Sequence, residues 1–202
     1  MFYLASASPR RRELLTQIGV QFELAPVDID ETPKPGEGAQ SYVERLAREK
    51  AVTSLAAIRA DGDNNDASRA VVLGSDTSVI INNEILTKPE DTADAKRMLQ
   101  RLSGNSHQVF TAVAVVSQQK QSIISVTTDV CFRPLSDDEI DAYIATGEPM
   151  DKAGSYGIQG KGAILVDKIS GSYSNVVGLP LTETAALLKS FNIEVWSGDQ
   201  QG

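Results

Sequence analysis

The alternation of apolar and polar positions along this chain changes period often enough to place most of its elements. "FYLAS" reads as a short buried strand. Ser8 then stands as an N-cap, with Pro9 at the first helical position. The helix "RRRELLTQI" stops at Gly19, and "VQFELAPV" returns as a strand. "DIDETPKPGEG" is a loop rich in proline, glycine and acid. From "AQSYVERLAREKAVTSLAAIRA" the period is helical, with Tyr42, Val43, Leu46, Ala47 and Ala51 near one face. Ser41 and Glu44 resemble a capping box at its start. "DGDNNDAS" is a polar surface loop.

Residues 70–87 predict two strand segments with a turn at Asn82-Asn83, and a helix over about 91–102 follows Pro89. "HQVFTAVAVVSQQ" and "SIISVTTDVCFRPL" flank Lys120 as a hairpin. Ser136 and Glu139 offer a further capping box before "IDAYIATG". "GAILVDKISG" reads as a strand, "SYSNVVGLP" as a turn, a strand and a helix entrance. Residues 180–191 read as the last long helix, "IEVW" as a closing strand, and 197–202 as a loose tail. Strands and helices intermix, but the hairpin interrupts their alternation. The expectation is therefore α/β with a mixed sheet and flanking helices, as a single domain over 1–202.

The chain has 202 residues, 41% hydrophobic, enough for a sizeable core. Its net charge of −8 argues against a broad nucleic-acid surface. A small anion held by a few local cations remains compatible. Cys131 is the single cysteine and His107 the single histidine. Neither a disulfide within the chain nor a His/Cys zinc site is expected, and Cys131 reads as a small core residue. Ala5-Ser6-Ala7 has no apolar stretch before it, which argues against a signal peptide, and the apolar runs are short for a membrane span. A cytoplasmic setting is expected.

Two features carry chemistry. Arg10, Arg11 and Arg12 occupy the first turn of a helix, an end that is already partly positive. Cations there cost roughly 0.3–1 kcal/mol each, a placement that makes sense where an anion is bound. "SASPRR" supplies hydroxyls, backbone N–H groups and guanidinium forks suited to phosphate oxygens. A solvent-facing reading stands level for Arg10 and Arg11 and is favoured for Arg12, since one site seldom uses three consecutive side chains. Lys50 lies on the long helix, where a solvated face is the plainer reading, and Lys88 sits directly before Pro89 at a strand end.

The second feature is a set of acids without a useful histidine. Asp76 follows the strand-like run Val71-Val72-Leu73 and Gly74-Ser75 and precedes a second strand-like run, Val79-Ile80-Ile81, so it is read at a strand end, between two strands. A carboxylate between two apolar runs is costly unless paired, hydrated or metal-bound. Asp28, Asp30 and Glu31 lie in the acidic loop. Carboxylates beside a phosphate site suit Mg²⁺ or Mn²⁺ and metal-assisted attack of water on phosphorus. "DKAGSYGIQGKG" lacks the Gly-Lys-Ser/Thr ending of a phosphate-binding Walker loop and alone reads as a flexible loop.

Taken in order, "LASASPRR", "VDIDET", "RLAREKA", "VLGSDT", "LTKPED", "DKAGSYGIQG" and "YSNVVGLPL" resemble the Maf family of nucleoside triphosphate pyrophosphatases over almost the whole chain. The resemblance implies an elongated fold similar to that of inosine triphosphate pyrophosphatases, with a central cleft. It implies hydrolysis of a nucleoside triphosphate to the monophosphate and pyrophosphate with a divalent cation. Asp76 matches the catalytic acid that accepts the proton of the attacking water. Arg10, Arg11, Lys50 and Lys88 match the family's cationic phosphate-site positions, Ser8 of "SASPRR" is a substrate-side hydroxyl beside them, and Glu31 joins Asp76 as a metal ligand. "SPRR", "GSDT" and "YGIQG" are similar to the branch acting on dTTP and UTP, with Arg10, Thr77 and Gln159 at the positions that differ from a guanine-specific branch. The resemblance leaves room for a homodimer, for modified pyrimidine nucleotides as substrates, and for a regulator of cell division and septum formation with little catalysis.

Overall fold

The computed structural model describes residues 1–61 and 67–197. Most of "DGDNNDAS" and nearly all of the tail expected to be loose lie outside the described residues.

The elements run β1 (Phe2–Leu4), α1 (Pro9–Gln17), β2 (Glu23–Leu24), α2 (Ala39–Asp61), β3 (Val71–Ile81), β4 (Glu84–Leu86), α3 (Thr92–Leu102), β5 (Ser106–Val116), β6 (Gln121–Phe132), α4 (Asp137–Ile144), β7 (Val166–Ser170), α5 (Tyr173–Val177) and α6 (Leu181–Lys189). Short 3₁₀ turns occupy 67–69, 148–151, 153–155 and 161–165. The strands are ordered β2-β1-β3-β5-β6-β7, with β4 paired to β3. β1 runs parallel to β2 and β3, while β4 runs antiparallel to β3 and β7 to β6. The sheet is mixed, with flanking helices, as the interrupted alternation predicts.

The chain divides into two compact units. The first takes in Met1–Asp76, Thr111–Val126 and the chain from Gly178 onward; the second takes in Thr77–Phe110 and Thr127–Val177. In the first unit, β1 pairs with the start of β3 in the register Phe2↔Val71 to Leu4↔Leu73. Tyr42, Val43, Leu46, Ala47 and Ala51 are all buried, so the helical face expected for α2 is the one it covers. A β-carbon at Gly74 would lie 2.2 Å from the Ala47 carbonyl oxygen and 2.7 Å from the Ala51 amide nitrogen. Glycine on the strand and alanines on the helix thus let α2 pack directly on β3.

In the second unit, Asn82 and Asn83 both take positive φ (51° and 64°), the geometry of a tight two-residue turn between β3 and β4. Val79, Leu86, Leu99, Leu102, Val130, Phe132 and Ile140 belong to one buried cluster. Asp91 caps α3 by accepting the Asp94 N–H at 2.8 Å. At α4 the capping box is complete: Ser136 Oγ accepts the Glu139 N–H, and the Glu139 carboxylate accepts the Ser136 N–H at 2.9 Å.

Several expectations are corrected. β3 is one continuous strand of eleven residues, so Asp76 lies within it rather than at a strand end. The strand expected over "VQFELAPV" shrinks to Glu23–Leu24, where β1 offers partners. Ser41 and Glu44 form no capping box, because α2 begins at Ala39; Glu44 instead accepts from Gln40 Nε2 and Ser125 Oγ, each at 2.8 Å. β7 begins at Val166, four residues into the expected strand, and "SYSNVV" contains the short helix α5 rather than a strand. "IEVW" is not a strand: the N–H groups of Trp196 and Ser197 donate to the carbonyls of Ile18 and Gly19, at 2.7 and 3.1 Å. Cys131 is only half-buried, its Sγ 2.9 Å from Ser106 Oγ.

Candidate active site

β3 is buried along nearly its whole length, and Asp76 is 7% exposed. Alternation along the strand puts Gly74 and Asp76 on the same face, the face against which α2 packs. Lys50, one turn after Ala47 on α2, therefore reaches the carboxylate. Its Nζ donates to Asp76 Oδ1 at 2.8 Å and lies 2.6 Å from Glu31 Oε1. One ammonium thus bridges a strand carboxylate and a loop carboxylate, and Lys50 does not belong to a solvated helix face.

α2 also fixes the loop that carries Glu31. Tyr42 Oη donates to the Glu31 carbonyl at 2.7 Å. Three residues on, Arg45 donates to the Thr32 carbonyl at 3.2 Å and binds the Glu37 carboxylate through two nitrogens, at 2.6 and 2.7 Å. Tyr42 reads from the sequence only as a core residue; its hydroxyl role needs a partner eleven residues earlier, outside helical spacing. Asp30 turns back on its own loop by accepting the Thr32 N–H at 2.9 Å, and Asp28 is exposed.

Ser8 is the N-cap residue of α1, but its side chain makes no cap hydrogen bond. Its N–H donates to Ser6 Oγ at 3.2 Å. Arg11 folds back over the same segment: Nη1 donates to Ser6 Oγ at 3.3 Å and Nε to the Gly178 carbonyl at 3.0 Å. Ser75, beside Asp76, donates to the same carbonyl at 3.3 Å. Ser6 and the Gly178 carbonyl thus seat Arg11, and Ser75 shares that carbonyl, a role visible only when three separate segments meet. Arg10 is half-buried and Arg12 exposed.

The electrostatics follow from this packing. Burial pushes the Asp76 carboxyl above its ordinary value. The charges of Lys50 and Arg11 and the Lys50 hydrogen bond pull it back, and Glu31 pushes it up. Arg11 is lowered by burial, raised by Asp76 and lowered by Arg10, and a guanidinium stays charged throughout. Burial, then Asp76 and Glu31, push the Tyr42 hydroxyl upward, so it remains a donor.

The first unit therefore brings together Glu31, Lys50 and Asp76, with Arg11 close enough to Asp76 to lower its pKa. Thr77, Lys88 and Gln159 belong to the second unit. Thr77 is half-buried on β3, Lys88 is exposed ahead of the buried Pro89, and Gln159 is exposed in the glycine-rich loop. That loop is tied down rather than loose: Glu148 accepts the N–H groups of Lys161 and Gly162, at 2.8 and 3.0 Å.

Among the described residues no group of three or more His, Cys, Asp or Glu side chains converges as a ready metal cage. Glu31 and Asp76, drawn to a single Nζ, form a two-carboxylate set instead. Such a pair fits Mg²⁺ or Mn²⁺, which take one or two carboxylates and complete their shell with water and substrate phosphate. No described helix is long and apolar enough to cross a membrane.

A family model described as Maf-like protein matches residues 1–191. A dTTP/UTP pyrophosphatase of Hahella chejuensis is 51% identical over 194 residues, covering 96% of this chain and 94% of that protein. One of Shigella sonnei is 54% identical and one of Escherichia coli O157:H7 53% identical, each over 190 residues, 94% of this chain and 92% of theirs. Among solved structures, that of the Staphylococcus aureus Ham1 protein is matched with a TM-score of 0.42 at 12% identity, over 82% of this chain and 79% of that one. A match along nearly its whole length, and relatives at about half identity over almost all of theirs, place this chain in the Maf family.

Proposed function

We propose that this chain hydrolyses dTTP and UTP to the monophosphate and pyrophosphate. The observation that carries the reading is the buried Asp76 carboxylate held with Glu31 around the Lys50 ammonium, beside Arg11. The names of its relatives support the substrate class.

In the reaction, water attacks phosphorus at the α–β bridge and loses a proton to Asp76, while the bridging P–O bond breaks and leaves monophosphate and pyrophosphate. A carboxylate raised by burial is a better base than an exposed one, yet Lys50 and Arg11 keep its charged form accessible. Glu31 and Asp76 would hold Mg²⁺ or Mn²⁺, which when bound neutralises phosphate charge and acidifies water. Arg10, Arg11, Lys50 and Lys88 take the phosphate oxygens, with the Ser8 hydroxyl beside them at the start of α1. Thr77 and Gln159 read the base, the Gln amide offering both a donor and an acceptor to the uracil or thymine edge. A cytoplasmic setting accords with a chain whose single cysteine is free.

The test is a panel of nucleotides with purified protein and Mg²⁺ or Mn²⁺, run on wild type and Asp76→Asn. The expected result is pyrophosphate and monophosphate from dTTP and UTP, lost on chelation. Asp76→Asn keeps the side-chain volume and loses the base, so kcat falls by about 10²–10⁴-fold. Orthophosphate as first product, or a variant within severalfold of wild type, overturns the reading.

A further inference from the structure

The second unit contains a carboxylate that the reaction does not use. Glu148 is half-buried in the 3₁₀ turn that follows α4, immediately after Gly147. Its Oε1 accepts the Gly162 N–H at 3.0 Å and the Tyr143 hydroxyl at 2.9 Å. Its Oε2 accepts the Lys161 N–H at 2.8 Å. Tyr143 Oη in turn accepts the Gly157 N–H at 3.1 Å. Lys152 Nζ also donates to the Glu148 carbonyl, at 2.6 Å. The segment 157–162 is thus fastened at both ends, Gly157 through Tyr143 and Lys161-Gly162 directly, and Gln159 stands between the fastenings.

The glycines in this segment are where the carboxylate needs room. A β-carbon at Gly160 would lie 2.4 Å from Glu148 Oε2, and one at Gly162 would lie 2.6 Å from Tyr143 Oη. Gly160 has φ −101°, outside the left-handed region, so glycine is needed there for the approach of Glu148 and not for backbone freedom. Burial raises the Glu148 pKa, but the N–H groups of Lys161 and Gly162, the Tyr143 hydroxyl and the Lys152 charge outweigh it, and the net shift is downward. The carboxylate therefore stays ionised as an acceptor for all its donors.

We propose that Glu148 is the positioning residue for base selection: by binding the Lys161 and Gly162 amides it fixes the loop that presents Gln159. The inference rests on the reading of Gln159 as a base contact. Hydrogen bonds to an ionised acceptor are stronger than neutral ones. An exposed loop side chain can discriminate between bases only if the backbone beneath it is held. Glu148 supplies that hold from a different part of the chain, which separates the anchoring of the loop from the contact the loop makes.

Glu148→Gln tests this with almost no change in volume. An amide NH₂ must then face at least one N–H donor, Lys161 or Gly162, so one fastening is lost whichever way the amide turns. Gly160→Ala displaces the carboxylate from the other side and serves as a second variant should the first fold poorly. Two quantities are measured on each: hydrogen exchange of the amides in 157–162, and the ratio of kcat/KM for UTP to that for GTP. The expected result is faster exchange confined to 157–162 and a UTP:GTP ratio reduced about tenfold, with Glu148→Asp recovering part of both. A residue that merely supports the fold would lower both substrates alike and leave the ratio unchanged; that outcome overturns the proposal.

Gln159→Glu, measured in parallel, separates the two readings. If Gln159→Glu shifts the ratio and the Glu148 variants do not, the positioning role falls and the Gln159 contact stands. If the Glu148 variants shift it and Gln159→Glu does not, the loop selects the base through another of its groups, and the Gln159 contact falls together with the claim that Glu148 acts through it. If neither shifts it, both fall.

Discussion

Gly74 and Ala47 are in contact so close that no side chain fits between them: a β-carbon on Gly74 would lie 2.2 Å from the Ala47 carbonyl oxygen. The contact sets the distance between α2 and β3, and thereby the reach of Lys50 to Asp76, two residues further along the strand. Gly74→Ala forces helix backbone away from strand backbone, which a side-chain rotation cannot relieve. The expected outcome is a loss of about 1–3 kcal/mol in urea unfolding, typical of overpacking. A fall in kcat/KM on dTTP accompanies it, larger than that of a distant variant of equal stability loss. Activity that tracks stability alone would show that the spacing does not serve the site.

Lys50 sets the ionisation of Asp76. Its charge and its hydrogen bond both lower a carboxyl pKa that burial has raised. Lys50→Met removes them together, so the acid limb of kcat/KM against pH moves to higher pH, while Lys50→Arg holds it near the wild-type position. Stability changes with the opposite preference. The folded pKa of Asp76 lies above its ordinary 3.8, so this group favours the fold below that value and the contribution is lost as pH rises through the raised pKa. A limb that stays in place in Lys50→Met refutes the coupling.

Arg10 and Lys88 are assigned to phosphate, a contact that carries no base information, even though Arg10 stands at a position that differs from the guanine-specific branch. Arg10→Met and Lys88→Met should each lower kcat/KM for dTTP, UTP and GTP by one common factor, about tenfold or more for loss of a charge-assisted bond. Steady-state kinetics on the three substrates checks this. A changed base preference at intact total activity would move either residue to the base side of the site.

His107 gives the fold a separate sensitivity to acid. It is buried on β5 in edge-to-face contact with Phe132 and Tyr156, and its Nε2 lies 2.8 Å from Tyr156 Oη. Burial lowers its pKa from 6.5 to about 4, and burial also pushes the Tyr156 hydroxyl up, so the partner does not ionise in this range. The neutral ring stabilises the fold above pH 6.5, and that contribution is lost as pH falls through about 4. The full effect amounts to about 3 kcal/mol. Urea unfolding of wild type and His107→Gln at pH 7.5 and pH 4 should show a steeper loss in the wild type; parallel losses would mean that His107 is not the titrating group.

Much of the local structure is determined by the sequence itself. The Asn82-Asn83 turn, the Ser136–Glu139 capping box, the hairpin around Lys120 and the buried face of α2 each depend on residues within a few positions of one another. Turn angles, caps and helical periodicity are short-range, and short-range rules read them. The family and the identity of its candidate residues are legible for a related reason: the motifs are contiguous words, "LASASPRR" or "VLGSDT", that keep their meaning without coordinates.

Only the tertiary structure decided what those residues do to one another. "GSDTS" looks like a break between strands because glycine, hydroxyls and a carboxylate are costly in a buried strand. The compensation comes from Lys50, 26 residues earlier, and from Gly178, 103 residues after Ser75. With those partners in place, β3 continues unbroken. "IEVW" fails in the opposite sense: its apolar residues suit a strand, but its backbone finds the end of α1 instead of a neighbouring strand. A strand exists only where another strand offers its N–H and C=O groups, and that offer is made by chain folding, not by local sequence. The same holds for Glu148, an ordinary acid in "TGEPMD" until folding brings the amides of Lys161 and Gly162 to its oxygens.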